Sequence, residues 1–175
     1  MSKRFHRSLT SIAVAVALAA PAVAHADAAK DLQVLGRALT FLENGPTGRT
    51  SVGVVFDPSK PASVAEKDAV MAVLGGGFAA GAVTLVGTPV PVAGVGGSSA
   101  SVLYVTSGVN YGAVGAAAKA KKALTVRTGS ACVSSGGCVV GVTTQPKVEI
   151  IVNRAAASAV GATFKAAFRM MIKEI

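Results

Sequence analysis

Short runs dense in β-branched residues alternate with stretches of helical periodicity. That alternation limits the fold more than any single motif does. SVGVVFD (51–57), AVTLVG (82–87), ASVLYVTS (100–107), ALTVRTG (123–129), CVVGVTT (138–144) and KVEIIVN (147–153) read as strands. Between them lie helical patterns. Leu32, Leu35, Leu39 and Leu42 share one helix face within 28–43, stopped by Asn44-Gly45-Pro46. SVAEKDAVMAVL (63–74) reads as a helix with Ser63 at its N-cap and Glu66 closing a capping box. Tyr111 to Lys122 is an alanine-rich helix. Asn153 is placed to cap a long last helix, Arg154 to Ile175. There Val160, Phe164, Phe168, Met171 and Ile175 make one apolar stripe, with Lys165, Arg169 and Lys173 on another face. Strands alternating with helices predict an α/β fold: a mixed β-sheet packed with helices, a C-terminal β-hairpin at its edge, then a long amphipathic helix.

The first residues belong to a different problem. Lys3, Arg4 and Arg7 precede an apolar run from Ile12 to Ala20, too short to span a bilayer of roughly 30 Å. Ala24-His25-Ala26 then offers a small-residue cleavage site, with a cut after Ala24 as the alternative. Residues 1–26 therefore read as a signal peptide and 27–175 as one exported domain that does not span the membrane; the resemblance described below implies the periplasm as its compartment.

Residue inventory narrows the chemistry. The chain has two histidines, His6 and His25, both inside the expected leader. A mature chain without imidazole lacks the base of Ser-His-Asp and Cys-His catalysis. Two cysteines cannot fill a tetrahedral zinc site. Of the eight carboxylates, Asp57 at a strand end is the best placed for a site, with a turn or cap as its alternative role. Gly75-x-Gly77-x-x-Ala80 loosely matches a dinucleotide fingerprint but follows a helix, so it reads as a turn, and no cofactor is implied. GVGGSS (94–99) lacks the Gly-Lys-Ser/Thr of a phosphate loop. The formal net charge of +9 comes without a long block of like charge or a nucleic-acid motif, so nucleic acid is not an expected partner. No catalytic constellation emerges, and the expectation is a protein that is not an enzyme.

Both cysteines lie in ACVSSGGCVV, with Gly136-Gly137 between Cys132 and Cys138. An even number in an exported chain favours a disulfide; free or regulatory thiols are the alternative. A ring this short would stabilise by about 2–2.5 kcal/mol.

The second half resembles the YfiR-like periplasmic proteins. The resemblance is carried by Leu124-Thr125-Val126, Gly136-Gly137, Val148-Glu149-Ile150 and Asn153, followed by the alanine-rich closing segment. In outline SVGVVFDP and VLYVTSG agree too. Departures are the missing aromatic-Pro pair after the first helix, the lack of tryptophan and of a second cysteine pair, and a Gly-rich middle loop. The resemblance implies that the Cys132–Cys138 pair is a family disulfide. It also implies a non-enzymatic regulator, often a homodimer, that binds an inner-membrane diguanylate cyclase or other sensor and represses it, keeping cyclic di-GMP and biofilm low. Two other readings come from the residues alone. One is a periplasmic solute-binding module, suggested by Asp57 and by Ser98 and Ser99 in the Gly/Ser loop. The other is a structural envelope protein, suggested by the Ala/Gly/Val-rich composition. Lys165 and Arg169 on the last helix are the expected partner contacts.

Overall fold

The structure, a computed structural model, describes residues 22–175. The elements in chain order are α1 (Ala22–Leu39), β1 (Gly48–Phe56), α2 (Pro61–Leu74), β2 (Phe78–Ala80), β3 (Val83–Pro91), a 3-10 segment (Val92–Gly97) and β4 (Val102–Val105). They continue with α3 (Tyr111–Lys121), β5 (Leu124–Thr128), α4 (Ala131–Ser134), β6 (Val140–Thr143), β7 (Glu149–Val152), α5 (Arg154–Val160), α6 (Ala166–Arg169) and β8 (Lys173–Glu174). Of the expected leader, residues 1–21 lie outside the described part, and Ala22–Ala26 begin α1.

One eight-stranded sheet runs in the order β2-β3-β1-β4-β5-β6-β7-β8. β3, β1, β4, β5 and β6 are parallel to one another, while β2 and β7 run antiparallel to β3 and β6. The fold is therefore α/β with a mixed sheet. Helices pack in two groups, α1 with α2, and α3 with α5 and the 3-10 segment, one group on each face. Parallel strands covered on both faces need apolar residues at successive positions. Val52, Val54, Val55, Val102, Leu103, Val105 and Val126 meet that need and are almost wholly buried. Each contributes about 1.5–3 kcal/mol by leaving water.

The chain moves from β1 to β3 on one side, then crosses back to β4 on the other. That reversal makes a topological switch point between β1 and β4. In doubly wound sheets the crevice outside the carboxyl ends of the strands at such a point is where ligands bind.

Four expectations are corrected. The long final helix does not form. α5 ends at Gly161, which takes a left-handed φ of 75°, and Phe164 bridges to Leu42 on the α1–β1 connection. Phe168 then stacks on Phe41 and packs tilted against Phe164, α6 makes one turn, and β8 joins the sheet beside β7. The stripe is thus only half buried: Met171 is 65% and Ile175 40% exposed. Ser63 is not an N-cap, because Pro61 opens α2 one turn earlier and Lys60 caps it without a side-chain bond. The C-terminal hairpin is not the sheet edge, since β8 lies beyond β7, and its first strand runs parallel to β5. The Gly-rich middle stretch, TPVPVAGVGGSS (88–99), reads from sequence as a loop but is strand to Pro91 and 3-10 helix from Val92 to Gly97.

Candidate functional site

Polar side chains converge at the carboxyl ends of β1, β4, β5 and β6. β1, β4 and β5 run out of apolar residues there and turn toward a helix, at Phe56-Asp57, Val105-Thr106-Ser107 and Val126-Arg127-Thr128, while β6 turns into β7. Ser63 is fully buried, and its hydroxyl accepts the Asp57 backbone N–H at 2.9 Å and bonds the Thr106 hydroxyl at 2.6 Å. Thr106 in turn donates to the Val55 carbonyl at 2.9 Å. These bonds tie β1, α2 and β4 together across the switch point.

Glu66, one turn further along α2, faces the same end. Its Oε2 accepts the Ser107 backbone N–H at 2.7 Å, and its Oε1 lies 3.4 Å from the Tyr104 hydroxyl. Tyr104 also bonds Thr128 Oγ1 at 2.8 Å. Thr128 donates to Asp31 Oδ2 at 2.9 Å, and Thr144 donates to Asp31 Oδ1 at 2.8 Å. Asp31 is a buried carboxylate on α1, so the chain of bonds fastens that helix to the ends of β5 and β6. The space between Asp31, Leu35, Tyr104, Arg127 and Thr128 holds no room for a water molecule. Burial, and then the neighbouring Glu66 carboxylate, hold the Tyr104 phenol well above its usual range, so it stays a neutral donor.

Arg127 is the charged residue at the centre of this end. Its side chain is 12% exposed. Nη1 donates to the Val105 carbonyl at 2.9 Å and lies 3.9 Å from Glu66 Oε1. The guanidinium sits over the Tyr111 ring, 5.4 Å from its centroid. Nε is buried and has no hydrogen-bond partner. A buried guanidinium N–H without an acceptor is a costly arrangement that an incoming acceptor would relieve.

The cysteine loop supports this corner from the side. Cys132 and Cys138 are bonded and both fully buried. The loop they close presses Gly137 against α3: a Cβ at Gly137 would lie 2.5 Å from the Tyr111 carbonyl oxygen. Only glycine allows that approach, and Tyr111 is the ring under Arg127.

The other residues singled out from sequence lie apart from Arg127 and Glu66, Asp57 excepted. Asp57 stands at the switch point, yet its carboxylate is spent on a local turn, accepting the Ser59 hydroxyl at 2.7 Å and the Ser59 N–H at 2.9 Å. Those two bonds lower its pKa below the usual carboxylate value. Ser98 and Ser99 line a shallow groove of about 430 Å³ with Thr88 to Pro91, Gly94 and Gly97; Asp57 is not among its walls. Lys165 Nζ donates to the Thr40 carbonyl at 3.2 Å. Arg169 grips Glu174 with two bonds of 2.8 and 3.1 Å, which lowers the Glu174 pKa. Lys165 thus ties the C-terminal segment to the α1–β1 connection, while Arg169 braces that segment within itself. Glu66 was read from sequence as a helix cap, and Arg127 was not singled out. The available signal was a lone arginine inside the apolar strand run LTVRT.

Among the described residues, no group of three or more His, Cys, Asp or Glu is placed to hold a metal ion. No helix among them is long and apolar enough to cross a membrane.

No family model matches the chain, and no curated protein does. Solved structures do. An ABC domain in complex with L-Trp from Streptococcus pneumonia superposes with a TM-score of 0.58 at 11% identity, over 85% of this chain and 60% of that one. A conserved domain protein from Vibrio cholerae matches at 0.57 and 13% identity, over 84% of this chain and 59% of its own. The ligand-free, open form of a Clostridium difficile substrate-binding protein with adhesive properties matches at 0.57 and 16%, over 83% and 58%. The likeness shows the fold alone, an α/β domain. This chain spans about 60% of the length of the first of these structures.

Proposed function

We propose that this chain is a non-enzymatic binding module for a small carboxylate-bearing solute, docked at the crevice outside the carboxyl ends of β1, β4 and β5. The observation that carries the reading is Arg127, a nearly buried guanidinium at the switch point with an unpartnered Nε. Its contact with Glu66 is loose at 3.9 Å, whereas the other Glu66 oxygen is fixed on Ser107. Arg127 borders the closed space beside Tyr104, so a ligand carboxylate reaches it as that packing opens, and then takes the guanidinium in a two-bond fork while Glu66 keeps its backbone partner. The Tyr111 ring lies under the guanidinium and would flank the ligand. Similarity to substrate-binding proteins supports the class of function. An exported, periplasmic setting, expected from the leader, fits a module that meets free solutes. Native mass spectrometry of the protein purified from its host tests the reading: a retained small acid supports it, and an empty protein that stays empty across a panel of small acids refutes it.

A second reading follows the YfiR-like resemblance. Cys132 and Cys138 are bonded as that resemblance implies. Met170, at 89% exposure, and Met171 stand beside the short edge strand β8, an apolar surface that a protein partner would cover. On this reading the chain is a periplasmic regulator, a homodimer in its free form, that represses an inner-membrane sensor such as a diguanylate cyclase. Cellular cyclic di-GMP that rises on deletion and falls on complementation supports it; an unchanged level counts against it.

A further inference from the structure

An open pocket lies at the opposite end of the sheet from Arg127, at the amino ends of β4 and β5. Its volume is about 260 Å³. The floor is apolar, made by Leu42, Val102, Leu124 and Val160, while Glu43 and Lys122 stand on its rim. The walls are pinned by backbone bonds: Glu43 N–H donates to the Thr163 carbonyl at 2.9 Å and Leu124 N–H to the Ser101 carbonyl at 2.9 Å.

Lys122 is the unusual member. It takes a left-handed backbone conformation, φ 53°, at the end of α3. Among the described residues, every other position with positive φ is a glycine, eight in all. A lysine there is disfavoured relative to glycine by roughly 1 kcal/mol. Helix-end electrostatics do not require it, because Lys119 and Lys121 already occupy the last turn of α3 and Lys121 reaches the Gly96 carbonyl. Neither Lys122 nor Glu43 forms an ion pair with any described residue. Backbone strain kept in a residue that lines a pocket points to a use for its side chain.

We infer that this pocket binds a small zwitterion with an aliphatic tail, an apolar α-amino acid: Lys122 takes the carboxylate, Glu43 the ammonium group, and the apolar floor the side chain. The site is separate from the Arg127 crevice and does not depend on it.

The test uses L-leucine as the probe and amide chemical shifts of the purified protein as the readout. Leucine is expected to move resonances of Leu42, Val102, Leu124 and Val160. Lys122→Gly is the informative variant, because glycine suits that backbone better and the variant should melt no lower than the parent. It should weaken leucine at least about tenfold. Glu43→Gln should weaken leucine but not 4-methylpentanoate, which has no ammonium group. The inference is overturned if about 10 mM leucine moves none of these resonances, a concentration matching only very weak binding. It is equally overturned if Lys122→Gly binds as tightly as the parent. Shifts confined to Tyr111 and Arg127 would overturn it too, while leaving the carboxyl-end site intact.

Discussion

Glu66 Oε2 accepts the backbone N–H of Ser107 at 2.7 Å, joining the second turn of α2 to the end of β4 across the switch point. Glu66→Ala leaves that N–H short of an acceptor in a partly buried setting, while the Tyr104 hydroxyl keeps Thr128 as its acceptor. The expected loss is about 1–3 kcal/mol of unfolding free energy. Glu66→Gln keeps an acceptor and should lose less than half of that. Urea denaturation of the two variants checks the order.

Asp31 is the buried end of the chain of bonds that runs through Thr128 to Tyr104. Asp31→Ala strands two hydroxyls at once, so it should cost about 2–4 kcal/mol, against about 1 kcal/mol for Thr144→Val. A double-mutant cycle between Asp31→Ala and Thr144→Val should return a coupling of 0.5 kcal/mol or more, by order of magnitude. Strict additivity would contradict the bond.

Tyr104 supplies a pH signature. Its folded-state pKa lies above the ordinary phenol value of 10.0, from burial first and Glu66 second. The neutral phenol is favoured in the folded state, so its contribution is complete below about pH 10 and lost as pH rises through the folded value. The chain has two tyrosines. Alkaline absorbance titration should therefore leave Tyr104 un-ionised until the protein unfolds. Tyr104→Phe should remove that late component.

Reduction of Cys132–Cys138 should lower stability by about 2–2.5 kcal/mol, the loop-closure effect for so short a ring. Because the loop presses Gly137 against Tyr111, Gly137→Ala should also destabilise, through a clash with backbone rather than with a movable side chain. Melting temperatures with and without reductant check the first. The same assay on Gly137→Ala and Gly94→Ala checks the second, since a Cβ at Gly94 meets nothing.

Most of the sheet was legible because buried parallel strands write themselves as Val-rich runs. β2 was not: Phe78-Ala79-Ala80 is three residues long and hides behind a glycine triplet. The end of the chain misled for a physical reason. Val160, Phe164 and Phe168 keep a four-residue spacing, yet two short helices and a bridge bury them as well as one long helix would. Periodicity records which residues are buried, not whether the backbone between them is continuous. The candidate site was harder still. Asp57 was found by its place at a strand end, but its carboxylate serves a turn. Glu66 was given to a cap that the Pro61 helix start forecloses, and its real partners are 38 to 41 residues away in sequence. Such contacts come from topology, which places β4 beside β1.

The most direct test of the account is ligand binding measured side by side on the parent protein and Arg127→Gln. Calorimetric titration with a panel of free amino acids and short carboxylic acids, repeated on Lys122→Gly, separates the two ends of the sheet. The account predicts at least one acid that binds the parent and Lys122→Gly alike and loses about tenfold or more in affinity with Arg127→Gln, while that variant still melts cooperatively. A panel in which no acid binds, or in which every binder is indifferent to Arg127→Gln, would contradict it.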